Sequence, residues 1–165
     1  MKNISTFLLV FIFLAQVAYA DEVKEGLKAL NRGDYKAAFE IWKPLAEKGN
    51  STAQFNLGLM YDKGDGVRQN FAKAVRWYRL AAKQGNVSAQ FNLGLMYYKG
   101  EGVARDYERA VKWYLYAARQ GNIGAQFNLG WMFDKGEGVT PNYKRAIKWY
   151  RLAAKHEHAG AQYNL

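Results

Sequence analysis

A short segment recurs at a fixed spacing along most of this chain, and that spacing constrains the fold more than any other feature. The segment Ala-Gln-Phe-Asn-Leu-Gly begins at Ala53, Ala89 and Ala125, and its first part begins again at Ala161, with tyrosine in place of phenylalanine. The starting positions 53, 89, 125 and 161 are 36 residues apart. A fixed period of this length predicts a stack of supersecondary units that bury apolar surface against their neighbours.

Each unit has the pattern of two helices joined by a glycine loop. In the first unit, residues 52–63 place Ala53, Leu57, Met60 and Tyr61 on one helical face. The loop at 64–67 contains paired glycines, which suit a helix C-terminus followed by a tight turn. A second apolar period covers residues 71–84 and ends at a glycine. We therefore predict an all-α fold, an α/α solenoid (superhelix) of antiparallel helix pairs.

These motifs resemble the Sel1-like repeat family, relatives of the tetratricopeptide repeats, and suggest an exported bacterial member. The resemblance rests on the Ala-Gln-Phe-Asn-Leu-Gly helix, the Gly-x-Gly-Val loop and a second helix with Trp-Tyr and paired alanines, and it covers residues 53–165. It implies a scaffold that binds proteins. The expected domains are a signal peptide at 1–20, an N-terminal capping helix pair at 21–52, repeats at 53–88, 89–124 and 125–160, and the start of a truncated fourth repeat at 161–165.

The first 20 residues have the pattern of a secretory signal peptide. Lys2 is followed by an apolar run and then by Ala18-Tyr19-Ala20, a small-residue cleavage pattern. The alternative is an uncleaved anchor, but the run is short for a membrane span. We expect cleavage after Ala20, a periplasmic or secreted mature protein, and no transmembrane segment after cleavage.

Composition narrows the classes of partner. The chain has 24 basic and 14 acidic residues, a formal charge of +10, and only one of those basic residues, Lys2, is lost with the signal peptide. Because an exported protein rarely meets nucleic acid, we expect no nucleic-acid partner and consider an anionic envelope glycan or lipid as an alternative partner. The chain contains no cysteine, so packing without disulfides must stabilise it.

Few residues of the mature chain are suited to catalysis. Ser51 and Ser88 are the only serines after residue 20, and neither lies in a nucleophile motif. His156 and His158 are the only histidines, and two ligands at this spacing favour a variant turn over a metal site. We expect no catalytic residue, metal or cofactor. The resemblance also suggests an alternative, β-lactam binding or hydrolysis as in cysteine-rich relatives, although their disulfide framework is absent here.

The candidate site is the side of each first helix that faces away from its predicted core. Those helices line the concave surface of such stacks, where a protein or peptide partner is expected to bind. The phenylalanines are identical in every unit, which favours packing between units, whereas the positions that differ favour recognition. The candidate residues are Phe55, Leu59, Asp62, Lys63, Phe91, Leu95, Tyr98, Lys99, Phe127, Trp131, Asp134 and Lys135.

Two departures from the repeat occur near the end of the chain. The turn between units has Gln-Gly-Asn at 84–86 and 120–122 but His-Glu-His at 156–158, so the capping glycine is lost. The chain stops five residues into a repeat. We expect the sequence to be a fragment of a longer solenoid.

Overall fold

A computed structural model describes residues 21–165, and every regular element in that range is a helix. The predicted signal peptide lies outside the described residues. Between residues 21 and 165 no helix is both long enough and apolar enough to cross a bilayer. The helices are α1 (21–31), α2 (Tyr35–Glu47), α3 (Ser51–Lys63), α4 (Phe71–Lys83), α5 (Val87–Lys99), α6 (Tyr107–Arg119), α7 (Ile123–Lys135), α8 (Tyr143–Ala154) and α9 (Ala159–Tyr163).

The helices pack in chain order. Within the units α3 packs on α4, α5 on α6 and α7 on α8, and each pair joins the next through α4·α5 and α6·α7. The predicted α/α solenoid is confirmed, and the predicted helix bounds of the first unit are within one residue of those observed. The predicted degenerate first helix at 21–33 is also helical, over 21–31.

Side-chain caps explain where the helices begin and end. Asn50, Asn86 and Asn122 precede the three first helices, and each side-chain oxygen accepts a hydrogen bond from the backbone N–H three residues later. At the other end, the first glycine of each loop adopts a left-handed conformation, with φ of 84° at Gly64. Only glycine adopts that conformation without a steric cost, which is why the loop glycine recurs in every unit.

Small residues and large rings together form the core. The predicted inward residues Ala53, Leu57 and Met60 are at most 1% exposed, while Tyr61 is half-buried. Across from them, paired alanines such as Ala81 and Ala82 are buried beside the fully buried ring of Tyr78. The alternation of small and large side chains brings the two helices of a unit close together.

The turn at 156–158 keeps its shape without glycine. Glu157 has φ of 59° and is the only non-glycine residue with positive φ among those described. Its counterparts Gly85 and Gly121 both have φ of 88°. His158 takes the place of the capping asparagine, and its Nδ1 accepts from the backbone N–H of Ala161 at 3.2 Å. Because the glycine is lost, Glu157 adopts a strained backbone conformation, and the fold remains intact.

Candidate partner-binding site

A tyrosine from each second helix forms the floor beneath the first-helix surface. The rings of Tyr78, Tyr114 and Tyr150 lie against Gly58, Gly94 and Gly130 of the first helices, so closely that a Cβ on those glycines would lie 2.4–2.6 Å from a ring carbon. The group that approaches these glycines closely is thus a ring and not a helix backbone. Each ring is buried, and its hydroxyl lies near an asparagine of the next first helix, Asn92, Asn128 or Asn164.

The candidate phenylalanines pack between units. Phe55, Phe91 and Phe127 lie 5.8–5.9 Å, centroid to centroid, from the floor tyrosines of their own units. The Phe91 ring also reaches the next unit, where it lies 3.0 Å from the position that a Cβ on Gly124 would occupy. Core packing accounts for the repetition of phenylalanine at this position.

One open cleft lies between α5 and α7, with a volume of about 340 Å³. We call it the α5–α7 cleft. Five predicted site residues line it, together with Tyr114, Asn128 and Met132, which the sequence analysis did not select. The five are Leu95, Tyr98, Lys99, Phe127 and Trp131.

Trp131 is the most accessible large side chain of the cleft, 37% exposed, while Leu95 and Phe127 are half-buried against the core. The Lys135 ammonium lies 5.0 Å from the centre of the Trp131 ring. Lys99 lines the cleft as well, 3.7 Å from the Glu101 carboxylate. The cleft therefore combines apolar walls with lysines at its edge that are paired with carboxylates.

The other predicted residues lie outside this cleft. Leu59 packs against the core, and Lys63 is the exposed last residue of α3. Asp134 pairs with Lys135 at 2.8 Å, and that contact raises the pKa of Lys135 above its ordinary value. The structure thus brings the candidate residues of the second and third repeats together, and those of the first repeat lie elsewhere on the same surface.

In the first repeat, a polar pair lies at the position that corresponds to the floor of the α5–α7 cleft. The Tyr78 hydroxyl donates a hydrogen bond to an Asp62 carboxylate oxygen at 3.0 Å. Burial is the main reason that the pKa of Asp62 is raised, although the hydrogen bond from Tyr78 opposes it. Burial, and then the Asp62 charge, raise the pKa of Tyr78. The Asp62 carboxylate therefore carries its charge at a cost that the hydrogen bond from Tyr78 partly offsets, while the raised pKa of Tyr78 keeps its hydroxyl protonated.

The second repeat lacks that pair because Tyr98 stands where Asp62 stands in the first. The Tyr98 hydroxyl donates to a Glu137 carboxylate oxygen at 3.1 Å, and burial and this carboxylate raise the pKa of Tyr98. Within residues 21–165, the Tyr114 hydroxyl has no hydrogen-bond partner. The Asn128 side chain lies beside it and lowers its pKa, but burial raises that pKa by more.

The second-helix face has a different character. Three lines of exposed cations run along α4, α6 and α8, with one member per unit, and these helices contain a single carboxylate, Glu108. The lines are Lys73, Arg109 and Arg145; Arg76, Lys112 and Lys148; and Lys83, Arg119 and Lys155. The charges on this face can attract an anionic surface. The alternative is that these charges are simply solvated while their long aliphatic stems cover apolar residues.

The groups considered for catalysis or metal binding have structural contacts. His158 caps α9, and its ring stacks on Phe127 at 4.5 Å. The loop carboxylates Glu101 and Glu137 contact Lys99 and Tyr98. Among the residues that the structure describes, no group of histidines and carboxylates could hold a metal ion. Chemically, the arrangement is suited to binding.

Comparison with known proteins identifies the repeat. The family model of the Sel1 repeat matches residues 14–50, 51–86, 87–122 and 123–158. The chain belongs to the Sel1 repeat family. Solenoids of this family generally serve as non-catalytic scaffolds for protein–protein interaction. The match at 14–50 shows that the region expected to form a capping pair also carries the Sel1 pattern.

Solved structures of Sel1 repeat proteins have the same fold. A Sel1 repeat protein from Oxalobacter formigenes is 40% identical with a TM-score of 0.80, over 84% of this chain and 57% of that one. The protective antigen c5321 of uropathogenic Escherichia coli is 38% identical with a TM-score of 0.81, over 90% of this chain and 33% of that one. A stretch of 50 residues is 40% identical to the DAP3-binding cell death enhancer 1 of Rattus norvegicus, 30% of this chain and 10% of that protein. The chain thus spans just over half, or less, of each relative.

Proposed function

We propose that this Sel1 repeat protein is an exported, non-catalytic scaffold that binds a protein or peptide partner in the α5–α7 cleft, on the concave face of the solenoid. The observation that carries the proposal is the cleft itself, an apolar space of about 340 Å³ with a partly exposed tryptophan at its wall. Tryptophan in a pocket is a frequent energetic centre of protein interfaces. The signal-peptide pattern of residues 1–20 supports export.

The position of the cleft also supports the proposal. The three first helices differ at five positions, and two of these, 59/95/131 and 62/98/134, contribute Trp131 and Tyr98 to one cleft. A site that recognises one partner requires such differences between otherwise repeated units.

Capture of a partner from an envelope extract tests the proposal. The full chain with a C-terminal tag is expressed in a bacterial host, and we expect the exported product to begin at Asp21. Trp131→Ala should abolish capture of the partner, because it removes the largest accessible wall of the cleft. Tyr116→Ala is the matched control: this ring is 41% exposed but lies on α6, on the second-helix face. Capture that survives Trp131→Ala, or no specific partner at all, would contradict the proposal.

The cation lines favour a second candidate, an anionic envelope glycan or lipid bound on the second-helix face. The salt dependence of partner capture distinguishes the two candidate functions within the same experiment. Attraction between exposed charges weakens steeply as salt is added, whereas an apolar cleft is much less sensitive. Capture that falls steeply with salt and is unaffected by Trp131→Ala would favour the second candidate.

A further inference from the structure

One of the positions at which the repeats differ determines whether a buried tyrosine hydroxyl has a carboxylate as its hydrogen-bond partner. In the first unit, the Asp62 carboxylate accepts the hydrogen bond of Tyr78 at 3.0 Å. The equivalent floor tyrosine of the second unit is Tyr114, and the residue equivalent to Asp62 is Tyr98. The substitution removes the carboxylate and leaves the donor in place.

Tyr98 does not take over the role of the missing carboxylate. Its hydroxyl donates to Glu137 at 3.1 Å, and its ring lies 5.3 Å from that of Tyr107, centroid to centroid. Both contacts hold Tyr98 at the side of the cleft. The Tyr114 side chain, which is 1% exposed, therefore lines the cleft, and its buried hydroxyl has no hydrogen-bond partner among the described residues.

A buried hydroxyl without a partner lowers stability, and native structures rarely retain one unless a ligand, water or ion completes it. Tyr150 also lacks a partner. Its unit, however, keeps Asp134 at the position of Asp62, so a carboxylate is available within the chain. Among the three units, only the second lacks a carboxylate at this position, and there the Asn128 side chain lies beside the Tyr114 hydroxyl.

The surroundings of Tyr114 indicate what the external group is. Leu95, Phe127 and Trp131 form apolar walls, and the Lys99 ammonium stands at the edge. The carboxylate of Glu137 is already engaged by Tyr98. The ammonium groups of Lys99 and Lys135 are each paired with a carboxylate. The hydroxyl donor at the floor is complementary to an acceptor such as a carboxylate, and the walls are complementary to an apolar side chain.

We infer that the α5–α7 cleft binds a partner segment that places an aspartate carboxylate on the Tyr114 hydroxyl and a neighbouring bulky apolar side chain against Trp131. The partner thereby supplies in trans the group that Asp62 supplies in the first repeat. This inference rests on the proposed function, because it names the chemistry that the same cleft recognises.

Short blocked peptides test the inference directly. The probes are acetylated, amidated Leu-Asp and Leu-Asn, together with acetylated Leu-Leu that has a free C-terminal carboxylate. Binding to the protein is followed by NMR through the indole N–H of Trp131. We expect Leu-Asp to bind about tenfold more tightly than Leu-Asn, the usual difference for a charge-assisted hydrogen bond. Equal affinities, or no binding of Leu-Asp, would overturn the inference, and a preference for Leu-Leu would show that a chain terminus is the ligand instead.

Two pairs of variants distinguish the effect of the Tyr114 hydroxyl from that of a general disturbance of the cleft. Tyr114→Phe should equalise Leu-Asp and Leu-Asn, whereas Tyr150→Phe, which removes the equivalent hydroxyl outside the cleft, should preserve the preference. Tyr98→Asp should abolish the preference because the chain then supplies its own carboxylate. Tyr98→Asn, with the same shape but no charge, should keep it. A preference that survives both Tyr114→Phe and Tyr98→Asp would overturn the inference.

A failure of the carboxylate inference can be distinguished from a failure of the proposed function. If Trp131→Ala abolishes partner capture but wild-type protein does not distinguish the two peptides, the scaffold proposal stands and the carboxylate inference falls. Thermal unfolding of each variant, measured first, identifies any that do not fold.

Discussion

A glycine in the middle of each first helix lies against a buried tyrosine ring, and this contact sets the spacing of the two helices. At Gly94, an added Cβ would lie 2.6 Å from a carbon of the Tyr114 ring. A helix gains about 1 kcal/mol when alanine replaces an interior glycine. Overpacking of a core costs about 1–3 kcal/mol, and a fully buried ring has little freedom to move.

We therefore expect Gly94→Ala to reduce the free energy of unfolding, by up to about 2 kcal/mol once the helix gain is subtracted. Denaturant unfolding measures the change. Gly124→Ala is the control: its Cβ would meet the Phe91 ring at 3.0 Å and the Asn122 side-chain oxygen at 3.5 Å. The first two units carry Thr52 and Ser88 at that position, so the unit accepts a side chain there. If Gly94→Ala is as stable as Gly124→Ala, ring contact does not explain the repeated glycine.

Individual residues of the cleft also show which part of the site could not be predicted from the sequence. The spacing of Leu95, Tyr98 and Trp131 placed them on one helical face, and they do line one cleft. Tyr114 was not selected from the sequence; its side chain is buried in the core and also lines the cleft. Periodicity assigns a residue to one face only, whereas a long tyrosine can pack its ring in the core and present its hydroxyl at a surface. The replacement of Asp62 by Tyr98 was the one signal in the sequence for this site.

At the scale of the helices, the turn between units depends on a left-handed residue. Gly121 has φ of 88°, and no atom lies within 4 Å of the position that a Cβ would occupy there, so its conformation is its only constraint. Glu157 holds the equivalent place with φ of 59°. For a residue with a side chain, this conformation costs about 1–2 kcal/mol.

We expect Glu157→Gly to raise the free energy of unfolding by about 1 kcal/mol, somewhat less than the strain because glycine also gains freedom in the unfolded chain. Gly121→Ala should lower it by a similar amount. Thermal unfolding of the two variants checks both directions. A stabilising Gly121→Ala would mean that the turn does not require the left-handed conformation.

Helices were the most predictable part of the fold because each signal was local. The asparagine caps, the loop glycines and the apolar period all act within one helix, and the bounds of α3 and α4 follow from them to within one residue. The turn at 156–158 was predicted to lose its capping glycine, and Glu157 stands in that place. The sequence did not predict that His158 would replace the capping asparagine with an imidazole nitrogen. Histidine is not among the usual capping residues, so no propensity could have indicated it.

At the scale of the whole molecule, almost every contact between helices joins neighbours in the chain. From α2 to α9 the helices pack in the order α2·α3, α3·α4 and onward to α8·α9, and the only other substantial contact among these eight helices is α7·α9. Stability in such a stack is close to a sum of unit and interface contributions, so that one end can open while the other remains folded. A fold with contacts between distant segments would instead open as a single unit.

Two equivalent leucines allow a matched test of this behaviour. Leu57 and Leu129 occupy the same place in the first and third repeats and are at most 1% exposed. Truncation of a buried leucine to alanine costs about 2–5 kcal/mol. We expect Leu129→Ala to accelerate amide hydrogen exchange in α7, α8 and α9 while α3 and α4 remain protected, and Leu57→Ala to produce the reverse pattern. Since both variants remove the same group from the same environment, the location of lost protection is the only expected difference. Uniform loss of protection in all helices would show that the stack is one cooperative unit, and a perturbation at one end would then also reach the α5–α7 cleft.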